Sequence, residues 1–254
     1  MNKLTSKTNI KLKVKWISPE LIDLYKKKVY NKYYENIKET KQLFNKINIF
    51  GEANEWLLKL DWKIPVAGLM FDDLITTDRK YQILEIAGSL SWFTLELLRK
   101  HDYTLVEKGY HETKNDYKCI QDLVGKKFVT LDDWYNLKIR KKYDLVIVND
   151  LFPNCDQRLF EFIDKYIRFT KKIRLTLTYS ENTFYEVKRL ESREILYMRP
   201  WGLRAITDFF NFLYESYNIS TDHAKIFSEI KYQPLKDIVF ENNRNVLFLE
   251  LNIS

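Results

Sequence analysis

Two glutamates end apolar runs at a spacing that suits a ligand containing a ribose. Glu85 ends one run, and Glu107 ends the next about 20 residues later. A carboxylate at the tip of the second strand of a βαβ unit accepts hydrogen bonds from both ribose hydroxyls. The small residues Ala87-Gly88-Ser89 let the backbone approach such a ligand, and amides at the next helix start point at it. These residues predict a binding site at the ends of two adjacent strands.

Short β-rich runs alternate with helical patterns after residue 80, which is typical of βαβ units around a parallel sheet. Such a sheet brings the carboxyl ends of its strands to one edge, where the two glutamates would meet. The predicted strands are residues 82–87, 103–107, 127–131, 144–149, 173–179, 226–232 and 245–253. The last two flank the sequence ENNR, which suits a turn, so they predict a hairpin at the sheet edge.

The stretch ILEIAGSLS (residues 83–91) resembles motif I of the class I S-adenosylmethionine (SAM) methyltransferases, a strand ending in an acidic residue before a small-residue loop. In that family Glu85 would lie near the methionine ammonium of the methyl donor. Asp132 takes the place of an acidic contact to the adenine amino group. The segment DLVIVNDLF (residues 144–152) is similar to the family's fourth strand, whose tip borders donor and acceptor. The resemblance covers about residues 80–254.

The chain departs from the family pattern in two places. Ala87, Ser89 and Ser91 stand where the family typically has glycines, and their φ angles are less free than those of glycine. Alanine and serine still permit close approach, so we expect the donor site to be retained. The sequence NDLF at residues 149–152 lacks both prolines of the N-P-P-F tetrad of amino-group methyltransferases, which disfavours a base-modifying enzyme.

The resemblance implies an α/β fold with a doubly wound, mostly parallel seven-stranded Rossmann-like sheet, an antiparallel edge strand and a helical N-terminal segment. It implies an enzyme that binds S-adenosyl-L-methionine and releases S-adenosyl-L-homocysteine (SAH), without a metal. The expected donor-binding residues are Glu85, Ala87, Gly88, Ser89, Glu107, Lys108, Asp132, Asp133, Asn149 and Asp150. The expected catalytic residues, each a base for an acceptor hydroxyl, are Asp150, His111 and Tyr179.

Residues 1–75 are predicted to be a basic, mainly helical segment and a possible pocket cover, and residues 76–254 the methyltransferase-like domain. Twelve lysines and four acidic residues lie in residues 1–46, so this segment accounts for the whole net charge of +7. The alternation of lysine and apolar residues in IKLKVKWI predicts a half-buried edge strand or an extended arm. Ser18-Pro19-Glu20 predicts the start of a helix, and residues 50–80 an irregular connector.

Composition bounds the cellular setting. The N-terminus lacks the apolar run of a secretory signal, and no apolar stretch has transmembrane length, so we expect a cytoplasmic protein without a membrane partner. Cys119 and Cys155 form no CxxC pair and adjoin no histidine cluster, which disfavours a metal site. Abundant Lys, Asn and Ile with few Gly indicates an AT-rich bacterial genome.

The basic segment and the missing tetrad together predict O-methylation of a small polar or anionic acceptor, such as a sugar or a phosphorylated precursor of a surface polysaccharide. Arg199 and Arg204 are candidates to hold an anion. An RNA methyltransferase, whose lysines track phosphates, is the alternative. A methyltransferase-like binding subunit without catalysis is a third hypothesis. A nicotinamide dinucleotide enzyme is least favoured because G-x-G-x-x-G is absent.

Overall fold

The computed structural model describes residues 7–60, 62–181, 184–188, 195–231 and 245–254. The strands are β1 (Asn9–Trp16), β2 (Gln82–Ile86), β3 (Asp102–Glu107), β4 (Val129–Leu131), β5 (Leu145–Phe152), β6 (Lys172–Tyr179), β7 (Tyr185–Lys188), β8 (Ile195–Met198), β9 (Asn218–Ile219) and β10 (Asn245–Ile253). The α-helices are α1 (Pro19–Tyr25), α2 (Asn31–Lys46), α3 (Glu52–Lys59), α4 (Lys63–Thr76), α5 (Trp92–Lys100), α6 (Lys114–Val124), α7 (Leu159–Tyr166), α8 (Leu203–Ser216) and α9 (His223–Lys231). A π-helical turn (Lys26–Tyr30) joins α1 to α2, and a short 3-10 turn (Ile167–Phe169) follows α7. None of the described helices is long and apolar enough to cross a membrane.

Eight strands form one sheet in the order β4-β3-β2-β5-β6-β10-β1-β9. Strands β2 to β6 run parallel to one another, and β10 runs antiparallel to its neighbours β6 and β1. The predicted doubly wound, mostly parallel Rossmann-like fold is confirmed. Two details were wrong: the sheet has eight strands rather than seven, and the antiparallel strand lies inside the sheet rather than at its edge. Strands β7 and β8 form a separate antiparallel pair.

Strand β1 confirms the prediction from the alternating lysines. Its apolar residues Ile10, Leu12, Val14 and Trp16 are buried, while Lys11 and Lys13 are exposed. It pairs with β10 along seven residues and with β9 along only two. Strand β1 therefore pairs with β10 in the position that was predicted for residues 226–232.

The predicted strand at residues 226–232 was wrong, because residues 226–231 belong to helix α9. Ile226 and Ile230 lie one helical turn apart and are both buried. Asp222 starts the helix by accepting a hydrogen bond from the Ala224 amide at 2.9 Å. Residue 232 and the predicted turn at residues 241–244 lie outside the described residues.

The helices cover both faces of the sheet. Helices α1 to α6 pack on one face in a cluster that contains Ile83, Leu105 and Ile147, and α7 to α9 pack on the other. The predicted helix start is confirmed, since Ser18 Oγ accepts from the Leu21 amide at 3.2 Å. The irregular connector predicted for residues 50–80 was wrong, because this stretch forms α3 and α4.

A buried arginine ties α4 to the sheet. The guanidinium of Arg174 on β6 donates two hydrogen bonds of 2.8 Å to Asp73 on α4. It also donates to Glu250, which faces it on β10, at 2.8 and 3.1 Å. The Arg174 side chain is 4% exposed and that of Glu250 10%. Although burial alone would raise the pKa of Glu250, the guanidinium holds it below its ordinary value.

Replacing Arg174 with methionine should lower the free energy of unfolding by about 3 kcal/mol, because Glu250 would keep a buried charge without its main partner. Chemical denaturation monitored by circular dichroism measures this loss. The matched control is Lys171→Met, which breaks the Lys171–Asp144 pair where the lysine is 71% exposed. That change should cost less than about 1 kcal/mol. Equal losses in the two variants would contradict the role given to Arg174.

Candidate functional site

A cavity of about 560 Å³ lies at the carboxyl ends of β2, β3 and β5. Strands β2 and β5 are neighbours in the sheet, but the chain leaves β2 toward β3 on one side and reaches β5 on the other. Ligands of open α/β sheets bind at such a switch point. The polar residues that line the cavity from the sheet side include Glu85, Ser89, Glu107, Lys108, His111, Asp132, Asn149, Asp150 and Asn154.

Helices α3 and α4 form a roof over this edge. Ala53, Trp56, Leu57 and Leu60 follow one another at helical spacing and line the cavity from above. Trp62, which precedes α4, and the α4 residues Lys63, Val66, Ala67 and Phe71 continue the roof. Another side of the cavity is formed by the β7–β8 residues Val187, Leu196, Tyr197 and Met198. Helix α3 and most of α4 lie within residues 1–75, and the role of this segment as a pocket cover stays a prediction.

The backbone is strained at two positions of the cavity wall. Ala87 after β2 has a φ of 56°, and Asp150 within β5 has a φ of 57°. Asn48 is the remaining non-glycine residue with positive φ in the described part of the chain. Side chains other than glycine adopt this left-handed region at a cost, and such strain concentrates at functional sites. Both of these strained residues, Ala87 and Asp150, line the cavity at the carboxyl ends of β2 and β5.

Gly88 is required by the carboxylate of Glu85 rather than by its own φ angle. A Cβ atom placed on Gly88 would lie 2.5 Å from Oε1 of Glu85 and 2.7 Å from its Cδ. Both distances are shorter than real carbon contacts, so any side chain here would displace the carboxylate. The loop after β2 thus needs one glycine at residue 88 and tolerates a strained alanine at residue 87.

The variants Ala87→Gly and Gly88→Ala should change stability in opposite directions. The glycine at residue 87 relieves the left-handed strain and should raise the free energy of unfolding by about 1 kcal/mol. The alanine at residue 88 clashes with Glu85 and should lower it by about 2 kcal/mol. Urea unfolding of both variants beside the unchanged protein measures these shifts. A destabilising Ala87→Gly would show that the loop is not strained.

Glu85 is a buried carboxyl with one side-chain hydrogen bond, donated by the Tyr103 hydroxyl at 2.8 Å. It projects to the same face of β2 as Ile83, toward helix α5 and the roof. Burial raises the pKa of Glu85 to about 7, against the smaller lowering effect of the Tyr103 hydroxyl. This group therefore exchanges its proton near neutral pH and would gain from a cation placed beside it.

Glu107 and Glu112 form a linked pair of buried carboxylates. Glu107 accepts from the Gly109 amide and from the Tyr110 amide at 3.1 Å. The Tyr117 hydroxyl lies between the two glutamates, 2.9 Å from Glu112 and 3.5 Å from Glu107. Glu112 in turn accepts from the Ser89 hydroxyl at 2.6 Å and the Leu90 amide at 3.2 Å. The loop after β2 is therefore fixed to the tip of β3.

Sequence reasoning missed Glu112, because no motif spacing marks it. Its only signal is position, since it precedes the helix cap Thr113 in the loop that follows Glu107. Burial raises the pKa of Glu112 to about 7, and this effect outweighs the lowering caused by the Ser89 hydroxyl and the nearby His111. Glu112 thus holds the glycine-poor loop from outside the motif.

Stability should fall with pH wherever a buried glutamate must lose its proton. The folded pKa of Glu85, about 7, lies above its ordinary value of 4.5. The protonated group therefore stabilises the fold fully below pH 4.5, and this contribution is lost as pH rises through 7. Glu85→Gln should remove the loss, so that the variant gains up to about 3 kcal/mol relative to the unchanged protein between pH 5 and pH 8.

Urea unfolding at several pH values from 5 to 8 measures this difference in slope. The control is Glu161→Gln on the exposed face of α7, which should leave the slope unchanged. Parallel pH profiles for Glu85→Gln and the unchanged protein would show that Glu85 is ionised throughout.

His111 lies at the β3 side of the cavity and faces α3. Its Nδ1 is 3.6 Å from the carboxylate of Glu52, whose side chain is 7% exposed. Burial opposes the imidazolium, but Glu52, Glu112 and Glu107 together raise the pKa of His111 above its ordinary value. This histidine therefore links the β3 loop to the roof through its contact with Glu52.

The aspartates after β4 have separate roles. Asp132 lines the cavity, whereas Asp133 binds Lys108 at 2.7 Å and Arg158 at 3.0 Å beside it. Against the effect of burial, these cations hold the pKa of Asp133 down at about 2. Asp133 therefore belongs to an ion-pair cluster beside the cavity, whereas Asp132 lines the cavity itself.

The tip of β5 carries a bulge that presents Asp150. Val148 pairs with Leu175 and Phe152 with Leu177, so β5 holds extra residues between these pairs. One oxygen of Asp150 accepts from Asn154 Nδ2 at 2.7 Å and from the Thr178 hydroxyl at 3.3 Å. The other oxygen accepts from Lys63 Nζ of the roof at 3.4 Å. The roof is therefore tied to the sheet at this point as well.

Most of the predicted site residues line this cavity, while others lie elsewhere. Asn149 lines it and accepts from the Thr176 hydroxyl at 2.9 Å. Tyr179 is fully buried in the core beneath α8 and does not line the cavity. His223 stacks on Phe227 in α9, with the ring centres 4.2 Å apart. The cavity thus brings together the predicted donor residues other than Asp133, and Tyr179 lies too far inside the core to serve as a base there.

No family model matches the chain, and no curated protein matches it. Solved structures resemble it at low identity. The DhpI–SAM–HEP complex is 9% identical, over 78% of this chain and 92% of that chain, with a TM-score of 0.45. The PH0226 protein of Pyrococcus horikoshii OT3 is 12% identical, over 76% and 92%, with a TM-score of 0.44. The magnesium protoporphyrin IX methyltransferase ChlM of Synechocystis PCC 6803, with bound SAM, is 10% identical, over 74% and 81%, with a TM-score of 0.41. The likeness is one of fold.

Proposed function

We propose that the cavity binds S-adenosylmethionine and that the protein is a SAM-dependent methyltransferase. The observation that carries the proposal is a cavity at the switch point of a doubly wound sheet, with a buried glutamate at the carboxyl end of each of two adjacent strands. The strained loop at Ala87 and the tight contact of Gly88 with Glu85 add to it, because such geometry marks a binding loop.

The residues of the cavity fit the parts of this donor. Glu85 is a buried acid that a methionine ammonium would convert into a stable carboxylate. Glu107 lies at the tip of β3, where a carboxylate accepts from ribose hydroxyls. Asp132 lies at the tip of β4, on the side expected for the adenine amino group. When bound, the donor supplies a methyl group activated by a sulfonium. The cavity volume is within the roughly 300–1,000 Å³ common for small-molecule sites.

The protein's own contribution to methyl transfer would be position and exclusion of water. Methyl transfer is an in-line displacement, so holding both partners in line supplies much of the rate. The roof of α3 and α4 and the β7–β8 pair enclose the sheet edge with apolar side chains. A closed apolar wall favours reaction of the acceptor over reaction of water.

The acceptor that we propose is a small polar or anionic molecule, methylated on oxygen, such as a sugar or a phosphorylated precursor of a surface polysaccharide. The cavity volume of about 560 Å³ is of the size that suits a small acceptor. Lys63 supplies a cation to the cavity at the tip of β5.

RNA is the alternative acceptor, and the contacts of the basic segment weigh against it. Lys28 and Lys32 lie 3.3 and 3.1 Å from Asp72, and Lys41 lies 2.7 Å from Glu55. These ion pairs reduce the charge that the segment offers to phosphates. Retention on RNA at low salt that falls steeply with added salt would instead support the RNA alternative.

Calorimetric titration with S-adenosylhomocysteine tests the donor site. We expect saturable binding to the unchanged protein, and an affinity at least ten-fold lower for Glu107→Gln, because a hydrogen bond to a charged group contributes about 1.5–3 kcal/mol. Asp116→Asn, at the exposed cap of α6, is a control that should bind like the unchanged protein. Thermal unfolding of each variant checks that it is folded.

Two results would contradict the proposal. Tighter binding of NAD than of S-adenosylhomocysteine would indicate a dinucleotide enzyme. A folded protein that binds neither would indicate a binding subunit that has lost the donor site.

A further inference from the structure

Asp150 is the candidate general base at the tip of β5, but its surroundings make it poorly suited to remove a proton. Asp150 accepts from Asn154, Thr178 and Lys63, and each of these donors stabilises the charged carboxylate. Thr178 itself accepts from Asn154 at 3.1 Å, so the donors form a connected set. A carboxylate held in this way is a weak base for an acceptor hydroxyl. The contact of Asp150 with Lys63 suits a different role, which is to hold the lysine ammonium in place.

Other candidate bases lie away from this tip. His111 lines the cavity, but it lies on the β3 side, where it contacts Glu52. That strand carries Glu107, the proposed ribose partner. Asp156 lines the cavity but accepts from Arg158 at 2.6 Å and from the Trp134 indole at 2.8 Å. On the β5 side Lys63 therefore offers a cation, while Asp150 and Asp156 are each held as carboxylates by the donors around them.

Lys63 is held where the acceptor would arrive. It is the first residue of α4, its side chain is 20% exposed, and its ammonium lies 4.7 Å from the ring centre of Trp62. A partly desolvated ammonium attracts an anion more strongly than a fully hydrated one. The three N–H donors of an ammonium can serve Asp150 and a ligand oxygen together.

We propose that the methyl-accepting atom is an oxygen that is already ionised at neutral pH, a carboxylate or phosphoryl oxygen bound by Lys63. This inference rests on the proposed function and narrows its acceptor. The acceptor oxygen forms the new O–CH₃ bond with its own electron pair while the S–CH₃ bond breaks. The negative charge of the acceptor and the positive charge of the sulfonium disappear together. No proton leaves the acceptor, so no base is required.

The apolar residues that line the same cavity as Lys63 indicate that the rest of this acceptor has a flat or apolar part. Trp56 and Trp62 of the roof and Leu196 and Met198 of the β7–β8 pair line the cavity. Aromatic rings bind flat groups by stacking, and a mostly apolar wall with a few polar groups is typical of a small-molecule site. An anion attached to a ring matches both features.

Binding of four small probes to the protein saturated with S-adenosylhomocysteine tests this inference. Benzoate and phenyl phosphate carry the two oxyanions on a ring, benzyl alcohol carries a neutral hydroxyl on the same ring, and methyl phosphate is an anion without a ring. We expect benzoate or phenyl phosphate to bind at least ten-fold more tightly than benzyl alcohol and methyl phosphate. The tighter of the two identifies the oxyanion as carboxylate or phosphoryl.

Variants of Lys63 assign the preference to this residue. Lys63→Met should abolish the ten-fold preference for the anion, and Lys63→Arg should keep most of it. Lys118→Met, at an exposed position of α6, is the matched control and should change nothing. Asp150→Asn should keep or increase the affinity for the anion, because it removes a competing negative charge.

Several outcomes would overturn the inference. These are benzyl alcohol binding as tightly as the ring anions, no binding of either ring anion, or a preference that survives Lys63→Met. Where a probe is methylated, release of one proton per methyl group in weakly buffered solution would also overturn it. Failure of S-adenosylhomocysteine to bind in the first step would instead contradict the proposed function.

Discussion

A guanidinium can be buried only where its N–H groups meet acceptors, and this requirement links the parts of the molecule that form the site. Arg174 satisfies it with Asp73 on α4 and Glu250 on β10. Helix α4 is thereby fixed over β6, and its first turn brings Lys63 to the tip of β5. Helix α4 is thus attached to the sheet by charges at two points, and apolar packing fills the space between them.

Local sequence patterns predicted most strands, because apolar runs between helical stretches identify parallel strands without any knowledge of their partners. They failed where long-range pairing decides the outcome. The stretch from Ile226 to Ile230 has apolar residues that suit either a strand or a helix, and burial against α8 selects the helix. Strand β1 was predicted from its alternation, but nothing local indicated that it would pair with β10 at the other end of the chain.

The candidate site shows the same division. The positions of Glu85 and Glu107 follow from the order of strands and loops, which the sequence displays directly. The dependence of the loop on Glu112 does not, because Ser89 and Glu112 meet only after β2 and β3 have paired. The roof was predicted only as a possible cover, since the sequence of α3 does not show that its apolar face lines a cavity.

Carboxyl groups along this edge differ in what controls their charge. Burial dominates at Glu85 and Glu112, and it raises the pKa of each to about 7. Against the effect of burial, cations and donated hydrogen bonds dominate at Asp133, whose pKa they hold at about 2. Asp150 accepts hydrogen bonds from Asn154, Thr178 and Lys63. The groups that exchange protons near neutral pH therefore lie around the loop after β2, on the proposed donor side. The tip of β5 carries the Lys63–Asp150 ion pair, and a site of this kind suits an acceptor that is itself charged.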